Sequence, residues 1–433
     1  TQSRGLGDVY KRQKLPWMTK KEPKMKKHLE GIRILDLTAY LSGPYTSMNM
    51  AAMGAEVIKV ERPKIGDPCR WNPPFAGVNG LSFERKDDKD ISILYLKRNR
   101  GKKSIFLNLQ KEEGKKILAR LIEKSDVILE NFTPGVMDRL GFSYDDVNKI
   151  NPKIIYCSIS GFGQDGPSKD RPAFDLTIQA TSGIMGLTGM PDGPPVRCGA
   201  WIGDMLSSLY SIIGILAALN SREKTGTGEK IDVAMNDACF SVCTDEALDL
   251  NISMGIPIRT GNRLTRLAPW NSYRAKDGWV VICAANNSQW EAFLEAIERE
   301  DLKDDPRFED QQGRHKHSDD VEVIIENWLR DLGKDEVVSR LNRKKVPCEA
   351  IAEFDEVLEN PQLQWREMIQ EVVHPIAGGV GLKAAGFPIK FSRLKADLGD
   401  PAPYPGEHSQ AVYKELLGIS EETLDQLKQD GVI

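Results

Sequence analysis

The chain reads as an α/β protein with a parallel sheet and a second, smaller α+β region, on three observations. From residue 31, short strand-like runs alternate with helical segments, the signature of a parallel sheet with helices on its faces. The segment KEEGKKILARLIEKS sets Ile117, Leu118, Leu121 and Ile122 at helical spacing, with Lys115, Lys116, Arg120 and Lys124 on the other face. At 433 residues the chain exceeds the size at which single cores stop growing, so two domains are expected.

The elements follow in order. GIRILDL (31–37) is the first strand, TSMNMAAMG a helix and AEVIKVE a second strand. KSIFLNL, the helix just described, DVILEN, a short helix in GVMDRLG and the strand KIIYCSIS come next. MLSSLYSIIGILAAL, from 205, is a core helix, too short to span the roughly 30 Å of membrane hydrocarbon. Past Gly228, EKIDVAM reads as a strand, a helix begins near Asn236 with Asp237 close to its start, and GIPIRTGNR reads as a linker. Residues 272–345 predict a hairpin, SYRAKDGWVVICAAN, turning at Asp277-Gly278, and three charged amphipathic helices. Beyond Pro347 a strand, GLKAAGFPIKFS, and a final helix, ISEETLDQLKQ, are expected.

Bulk properties exclude several classes. Lys+Arg number 59 and Asp+Glu 63, a net charge of -4, which argues against a nucleic-acid binder working through overall positive field. The seven cysteines are scattered without a C-x-x-C pair, so neither a disulfide framework nor a zinc site is suggested, and a reducing cytoplasm fits. Residues 1–27 are polar and basic with no apolar core of signal-peptide length, and are expected to be a disordered or non-native leader with Met25 as a candidate start. No membrane segment is expected.

GFGQDG (161–166) matches the G-x-G-x-x-G pattern of dinucleotide loops, but Pro167 and Pro172 disfavour the helix that would hold a pyrophosphate. It reads as a flexible loop at a strand end. In GAWIGDMLSS, Asp204 stands directly before the apolar helix, where it is first a helix N-cap. The neighbouring glycines also allow close approach of a ligand, and a helix N-terminus keeps a carboxylate ionised, so Asp204 is a candidate nucleophile as well, although most aspartates at helix starts only cap. KRNRGKK (97–103) is either a solvated turn or, with Arg62, a cationic rim for a phosphate-rich ligand. His315, His317 and His374 suggest no metal centre or triad, no G-x-S-x-G elbow occurs, and KTGTGEK is not a phosphate loop.

Eight segments in order, GIRILDLTAYLSGP, GAEVIKVERPKIGD, NRGKKSIFLNL, ENFTPGVMDRLGF, GFGQDGP, QATSGIMGLTG, GPPVRCGAWIGD and PGEH, resemble the class III CoA-transferases, from about residue 28 to the C-terminus. The resemblance implies a Rossmann-like large domain built from both chain ends: 28–225 as its first, CoA-binding part, 226–261 as a linker strand and helix, 262–346 as a small domain and 347–433 as a return segment. It also implies an interlocked homodimer. Asp204 matches the family's nucleophile, which attacks the acyl-CoA thioester. The CoA contacts map onto Ser42, Arg62, Leu107, Asn108, Leu109, Gln110, Asn131, Phe132, Thr133 and Arg139. Asp175 matches an active-site acid of some members, and Gly161 and Gly163 belong to the matching mobile loop. Coenzyme A thioester and a small carboxylic acid are then the substrates, with no permanently bound cofactor.

The sequence departs from the pattern at informative places. Leu41 stands where the oxalate enzymes carry glutamine, and their tetraglycine loop has no counterpart, so oxalate is not implied as the acceptor. Phe174 stands where the related 2-methylacyl-CoA racemases carry a catalytic histidine, removing half of an acid/base pair. A racemase and a non-catalytic CoA-ester-binding subunit remain the competing readings. Tyr40, Leu41, Trp71 and Trp201 are expected near the acyl group.

Overall fold

The computed structural model describes residues 27–264 and 266–433. The leader expected over 1–27 lies, but for Lys27, outside them. The chain divides into two units: one holds the residues up to Phe174, Gly203–Ala238 and Gln364–Ile433, the other Asp175–Ile202 and Cys239–Leu363.

The first unit begins with strands β1 (Arg33–Asp36) and β2 (Glu56–Glu61), joined by helix α1 (Ser42–Ala52). Short strands β3 (Phe75–Gly77), β4 (Gly80–Ser82) and β5 (Ile91–Ser92) form a separate small sheet. Then follow β6 (Lys103–Phe106), helix α2 (Glu112–Glu123), β7 (Val127–Glu130), helix α3 (Val136–Leu140) and β8 (Ile155–Ser160). After α4 (Asp175–Thr181) in the other unit, helix α5 (Ile202–Thr225) leads to β9 (Lys230–Ala234). The six long strands form one sheet in the order β6-β2-β1-β7-β8-β9, every pair parallel. The chain leaves β1 in one direction through β2 and β6, then returns to β7 on the other side. This is the doubly wound Rossmann order, whose ligands bind beyond the carboxyl ends at the reversal, here between β1 and β7.

One face of the sheet carries Leu35, Ile58, Ile105 and Ile128 against Ile117, Leu118, Leu121 and Ile122 of α2. Those four helix residues are buried, as their spacing predicts. The C-terminal segment completes the same core through Val412, Tyr413, Leu424 and Leu427. It is fastened to β6: Gly406 N–H donates to Ser104 Oγ at 2.8 Å and His408 N–H to Ser104 O at 2.9 Å. The turn works because position 406 is glycine, with φ +67 and a hypothetical Cβ only 2.4 Å from the Phe106 ring.

Several expectations are corrected. Helix α5 has 24 residues, about 36 Å at 1.5 Å per residue, so by length and composition it could cross a membrane. It nonetheless buries Ser207, Ser208, Ser211, Ile215, Ala218 and Leu219 at i, i+3 and i+4 spacing, the pattern of a helix packed against protein. Because it starts at Ile202, Asp204 lies inside its first turn and is not the N-cap. The strand expected in the 226–261 connection is the outer strand of the parallel sheet. Beyond Pro347, strand β14 (Gly378–Ala385) stops before Phe387 and Pro388 and pairs with β13 (Ile369–His374), which the sequence reading passed over.

The second unit carries an antiparallel sheet of β10 (Trp270–Ala275), β11 (Gly278–Cys283) and β12 (Cys348–Ala350). Its core gathers Tyr273, Val280, Ile282, Phe293, Ile325 and Leu341. The hairpin turn is Lys276-Asp277, since Ala275 already pairs with Gly278. Asp277 and Gly278 serve the helix Lys334–Arg343 instead: Asp277 Oδ1 accepts the Lys334 N–H at 2.7 Å, and the Lys334 stem lies 3.1 Å from where a Cβ on Gly278 would stand.

Gly406→Ala is expected to lower unfolding free energy by about 2 kcal/mol through clash plus backbone strain. Gly418→Ala, at φ +63 with nothing within 4 Å of its hypothetical Cβ, should cost only about 1 kcal/mol. Urea unfolding midpoints of the two variants check the difference.

Candidate active site

A cavity of about 450 Å³ opens at the reversal between β1 and β7. Its walls are the segments that leave the strand ends: Leu37–Tyr40 after β1, Arg62 after β2, Leu107–Gln110 after β6 and Asn131–Thr133 after β7. Arg62, Leu107, Asn108, Leu109, Gln110, Asn131, Phe132 and Thr133 are therefore brought together from three separate stretches of sequence. Arg62 is exposed and its guanidinium makes no ion pair with a described residue. Asn108 is held by the C-terminus, its N–H donating to Val432 O at 2.7 Å and its amide to Gly431 O at 3.2 Å. The Asn131 amide grips the backbone of Ala39 in both directions at 2.9 Å, so it is a clamp on the β1–α1 turn rather than a free polar wall.

Beneath this cavity lies a buried layer of ionic groups. Lys102 Nζ stands 3.0 Å from Asp36 Oδ2, and Lys59 Nζ 3.0 Å from Asp67 Oδ2. Arg70 holds Glu61 in a bidentate pair at 2.6 and 2.7 Å and lies 3.6 Å over the Tyr95 ring. Three cations thus neutralise three carboxylates. Burial alone would raise the Asp36 carboxyl, yet Lys102, Lys59 and the Ser47 and Thr38 hydroxyls hold it well below the carboxylate range. Glu61, likewise buried, is drawn down to about 2 chiefly by Arg70. Burial pushes Lys102 down to about 8 in spite of Asp36. Asp67 also accepts the N–H groups of Tyr40 and Cys69, at 3.1 and 2.9 Å, and so fixes Tyr40 at φ +66 on the cavity wall.

The stretch 97–103 is a turn with Lys97, Arg98 and Lys103 half-exposed, but part of it is interior. Lys102 is an interior counter-ion, and Arg100 is buried against Gln370 and the Ala385 carbonyl. No residue of 97–103 lines the cavities described here.

Asp204 is half-buried in the first turn of α5, the end at which a helix dipole favours negative charge. Buried Gly203 precedes it, and the small residues Ser207 and Ser208 follow, each hydroxyl donating to the Asp204 carbonyl, at 3.0 and 2.7 Å. Ser208 Oγ also lies 2.6 Å from Ser42 O, and Asn131 Nδ2 lies 3.3 Å from Ser42 Oγ. Ser42 does not line the cavity; it joins the start of α5 to the cavity wall. Leu41, buried beside it, presents no polar group.

A second, polar cavity of about 270 Å³ shares Thr133 with the first. Arg139 lines this one, with Lys169, Lys230 and the buried Glu130. Desolvation pushes the Glu130 carboxyl up to about 7, against the Ser158 hydroxyl and the Phe132 N–H, and Asp232 adds to the rise. The glycine loop lies at its edge through Gln164, with Gly163 at φ +91 and Gly166 at φ +82 and no helix following. Trp71 lines a third cavity with Arg85 stacked 4.3 Å over its ring. Asp175 and Trp201 belong to the other unit, where Asp175, buried at the first residue of α4, accepts the Gln179 amide at 2.6 Å.

Sequence reasoning missed Asp36, Lys59, Glu61, Asp67, Arg70 and Glu130. The signal was present in part: a strand reading EVIKVE places charges where neighbours are buried, and a lone charge there needs a partner. Which partner it finds depends on strand register.

With this geometry in view, comparison with known proteins is decisive for the family. The model of CoA-transferase family III matches residues 29–409. A formyl-CoA:oxalate CoA-transferase of Streptomyces avermitilis is 37% identical over 427 residues, covering 94% of this chain and 100% of that protein. A succinyl-CoA:mesaconate CoA-transferase of Haloarcula marismortui is 36% identical, covering 89% and 96%. A human succinyl-CoA:glutarate CoA-transferase is 33% identical, covering 94% and 90%. The crystal structure of a CAIB/BAIF family protein from Brucella suis superposes with a TM-score of 0.78 at 32% identity, covering 90% of this chain and all of that one.

Glu130 makes stability depend on pH. Its carboxyl in the folded protein titrates near 7 against 4.5 for an ordinary glutamate, so between these values the native state holds a proton that the unfolded chain has released. Stability therefore falls as pH rises from about 4.5 through 7, by on the order of 3 kcal/mol. Glu130→Gln should flatten that slope; urea midpoints measured from pH 5 to 8 would show it.

Proposed function

Because the chain belongs to CoA-transferase family III, we propose that it moves coenzyme A from an acyl-CoA donor to a carboxylate acceptor with Asp204 as the nucleophile. The observation that carries this reading is the placement of Asp204: a half-buried carboxylate in the first turn of α5, whose backbone carbonyl is linked through Ser208 and Ser42 to Asn131 on a cavity wall built from four strand ends. Arg62 at the cavity mouth and Arg139 in the adjoining cavity are the cations for phosphate groups, and Phe132 offers the apolar face for the base or pantetheine.

The steps balance without an external energy source. Asp204 attacks the thioester carbonyl, the C–S bond breaks, and CoA thiolate leaves a mixed anhydride. The thiolate attacks the aspartyl carbonyl and expels the donor acid, giving an aspartyl-CoA thioester. The acceptor carboxylate then attacks that thioester, releasing CoA thiolate and forming a second mixed anhydride; the thiolate attacks the acceptor carbonyl of this anhydride, its C–O bond breaks, and the Asp204 carboxylate is restored. Thioester energy is retained throughout in covalent intermediates that water would destroy. The loop at 161–166, with glycines in positive φ, is suited to close over them.

The relatives are named both for oxalate, with formyl- or acetyl-CoA, and for mesaconate or glutarate, with succinyl-CoA, and between these the separating observation is the apolar Leu41 directly before Ser42. This supports a four- or five-carbon dicarboxylate acceptor with succinyl-CoA as donor, in preference to oxalate. The working unit is an interlocked homodimer in the cytoplasm. The exposed Leu209, Tyr210 and Ile213 on α5 offer an apolar face for the second copy, and all seven cysteines are free thiols.

Asp204→Asn should lower transfer at least about a thousandfold while leaving the melting temperature within about 2 °C. Hydroxylamine should inactivate the wild type only when acyl-CoA is present, by trapping the anhydride or thioester; a near-normal rate in Asp204→Asn refutes the nucleophile. In a panel of succinyl-, acetyl- and formyl-CoA against dicarboxylates, succinyl-CoA with glutarate or mesaconate should exceed any pair with oxalate. Deuterium uptake at the α-carbon of a 2-methylacyl-CoA would point instead to a racemase, and affinity without exchange to a binding subunit.

A further inference from the structure

Glu130, Ser158 and Asp232 stand in one cross-strand row on β7, β8 and β9, and so project to the same face at the carboxyl ends of the sheet. Asp232, on the outer strand, reaches over the segment that leaves β8. Its Oδ2 accepts the backbone N–H of Gln164 at 2.9 Å, and a Cβ on Gly163 would stand 3.7 Å from that same oxygen. Other ties also hold the loop: Ser160 Oγ accepts the Gly163 N–H at 2.9 Å, Asn236 N–H donates to Gly161 O at 3.0 Å, and Arg171 lies 4.8 Å over the Phe162 ring. Ser160 lies on the strand that feeds the loop and moves with its root, and Asn236 acts through its backbone. Asp232 fastens the middle of the loop by a side chain from a different strand.

We propose that Asp232 is a positioning residue for the reaction: the catch that holds the glycine loop 161–166 down on the strand ends. A hydrogen bond from a peptide N–H to a carboxylate is stronger than one between neutral groups. Because Asp232 is exposed, water can replace the N–H at modest cost when the loop lifts, so the bond biases the closed position without locking it. The Gln164 side chain opposes it. Its Nε2 is buried with no hydrogen-bond partner among the described residues, a cost that lifting the loop relieves. Gly163 and Gly166, already at positive φ, supply the dihedral freedom for the movement.

The functional part of this inference rests on the loop acting as a lid in CoA transfer, and the experiment separates the two. Hydrogen–deuterium exchange on the full chain should show the peptide covering 161–166 exchanging about tenfold faster in Asp232→Ala than in the wild type. Asp232→Asn, which keeps an acceptor oxygen, should recover most of the protection. In the same Asp232→Ala protein, the ratio of acyl-CoA hydrolysis to CoA transfer should rise severalfold, because water then reaches the covalent intermediates. If Asp232→Ala fails to fold, Gln164→Pro removes the donor and leaves β9 intact, and the same acceleration is expected. Unchanged exchange in the folded variant overturns the catch whatever the activity. Faster exchange with an unchanged hydrolysis ratio overturns its role in the reaction, while a wild type that transfers no CoA defeats the functional reading alone and leaves the exchange result standing.

Discussion

The pairing of three buried cations with three buried carboxylates under the β1 and β2 ends is the interaction on which the site depends. Lys59, Arg70 and Lys102 are each in contact with a carboxylate, and the layer sums to zero charge. An unpaired ion at such depth costs several kcal/mol, so no member can be removed alone without a large penalty. The layer also determines shape. Asp67 orients the Tyr40 and Cys69 peptides, Asp36 orients Thr38, and Lys59 donates to the Thr38 carbonyl, so the turn that walls the cavity is held from below by charge.

Above this floor the site is assembled from backbone ends rather than from a contiguous motif. The reversal of strand order leaves a gap between β1 and β7, and the segments leaving four strands converge on it. The small residues on the inner face of α5 let that helix approach α1 closely enough for Ser208 to bond the Ser42 carbonyl. Asp204 stands one turn earlier on the same helix, its carbonyl accepting from Ser208, in the first turn where the helix dipole favours negative charge.

The fold class and much of the wall were legible because they rest on local patterns. Period 3.6 in residues 112–123 and alternating strands and helices report the doubly wound sheet, and a resemblance spread over eight short segments points to the same strand ends. The errors arose where a side chain's role depends on a distant partner. Lys102 lies in a run of cations that looks solvated, yet its counter-ion is 66 residues away on β1. Asn131 lines the cavity, but no local pattern shows that its amide also clamps Ala39, 92 residues away. Asp204 reads as a cap because apolar periodicity starts after it, although Ile202 and Gly203 extend the helix backwards.

Composition, periodicity and motif order thus determined that this chain builds a parallel α/β sheet with an aspartate at the head of an apolar helix, since these are consequences of nearest-neighbour sterics and of which residues avoid water. Tertiary structure alone decided which charges meet beneath the cavity, which polar groups are consumed in holding turns, and that Asp232 meets the Gln164 N–H. Those outcomes follow from strand register, and register brings together residues whose separation in sequence carries no local signal.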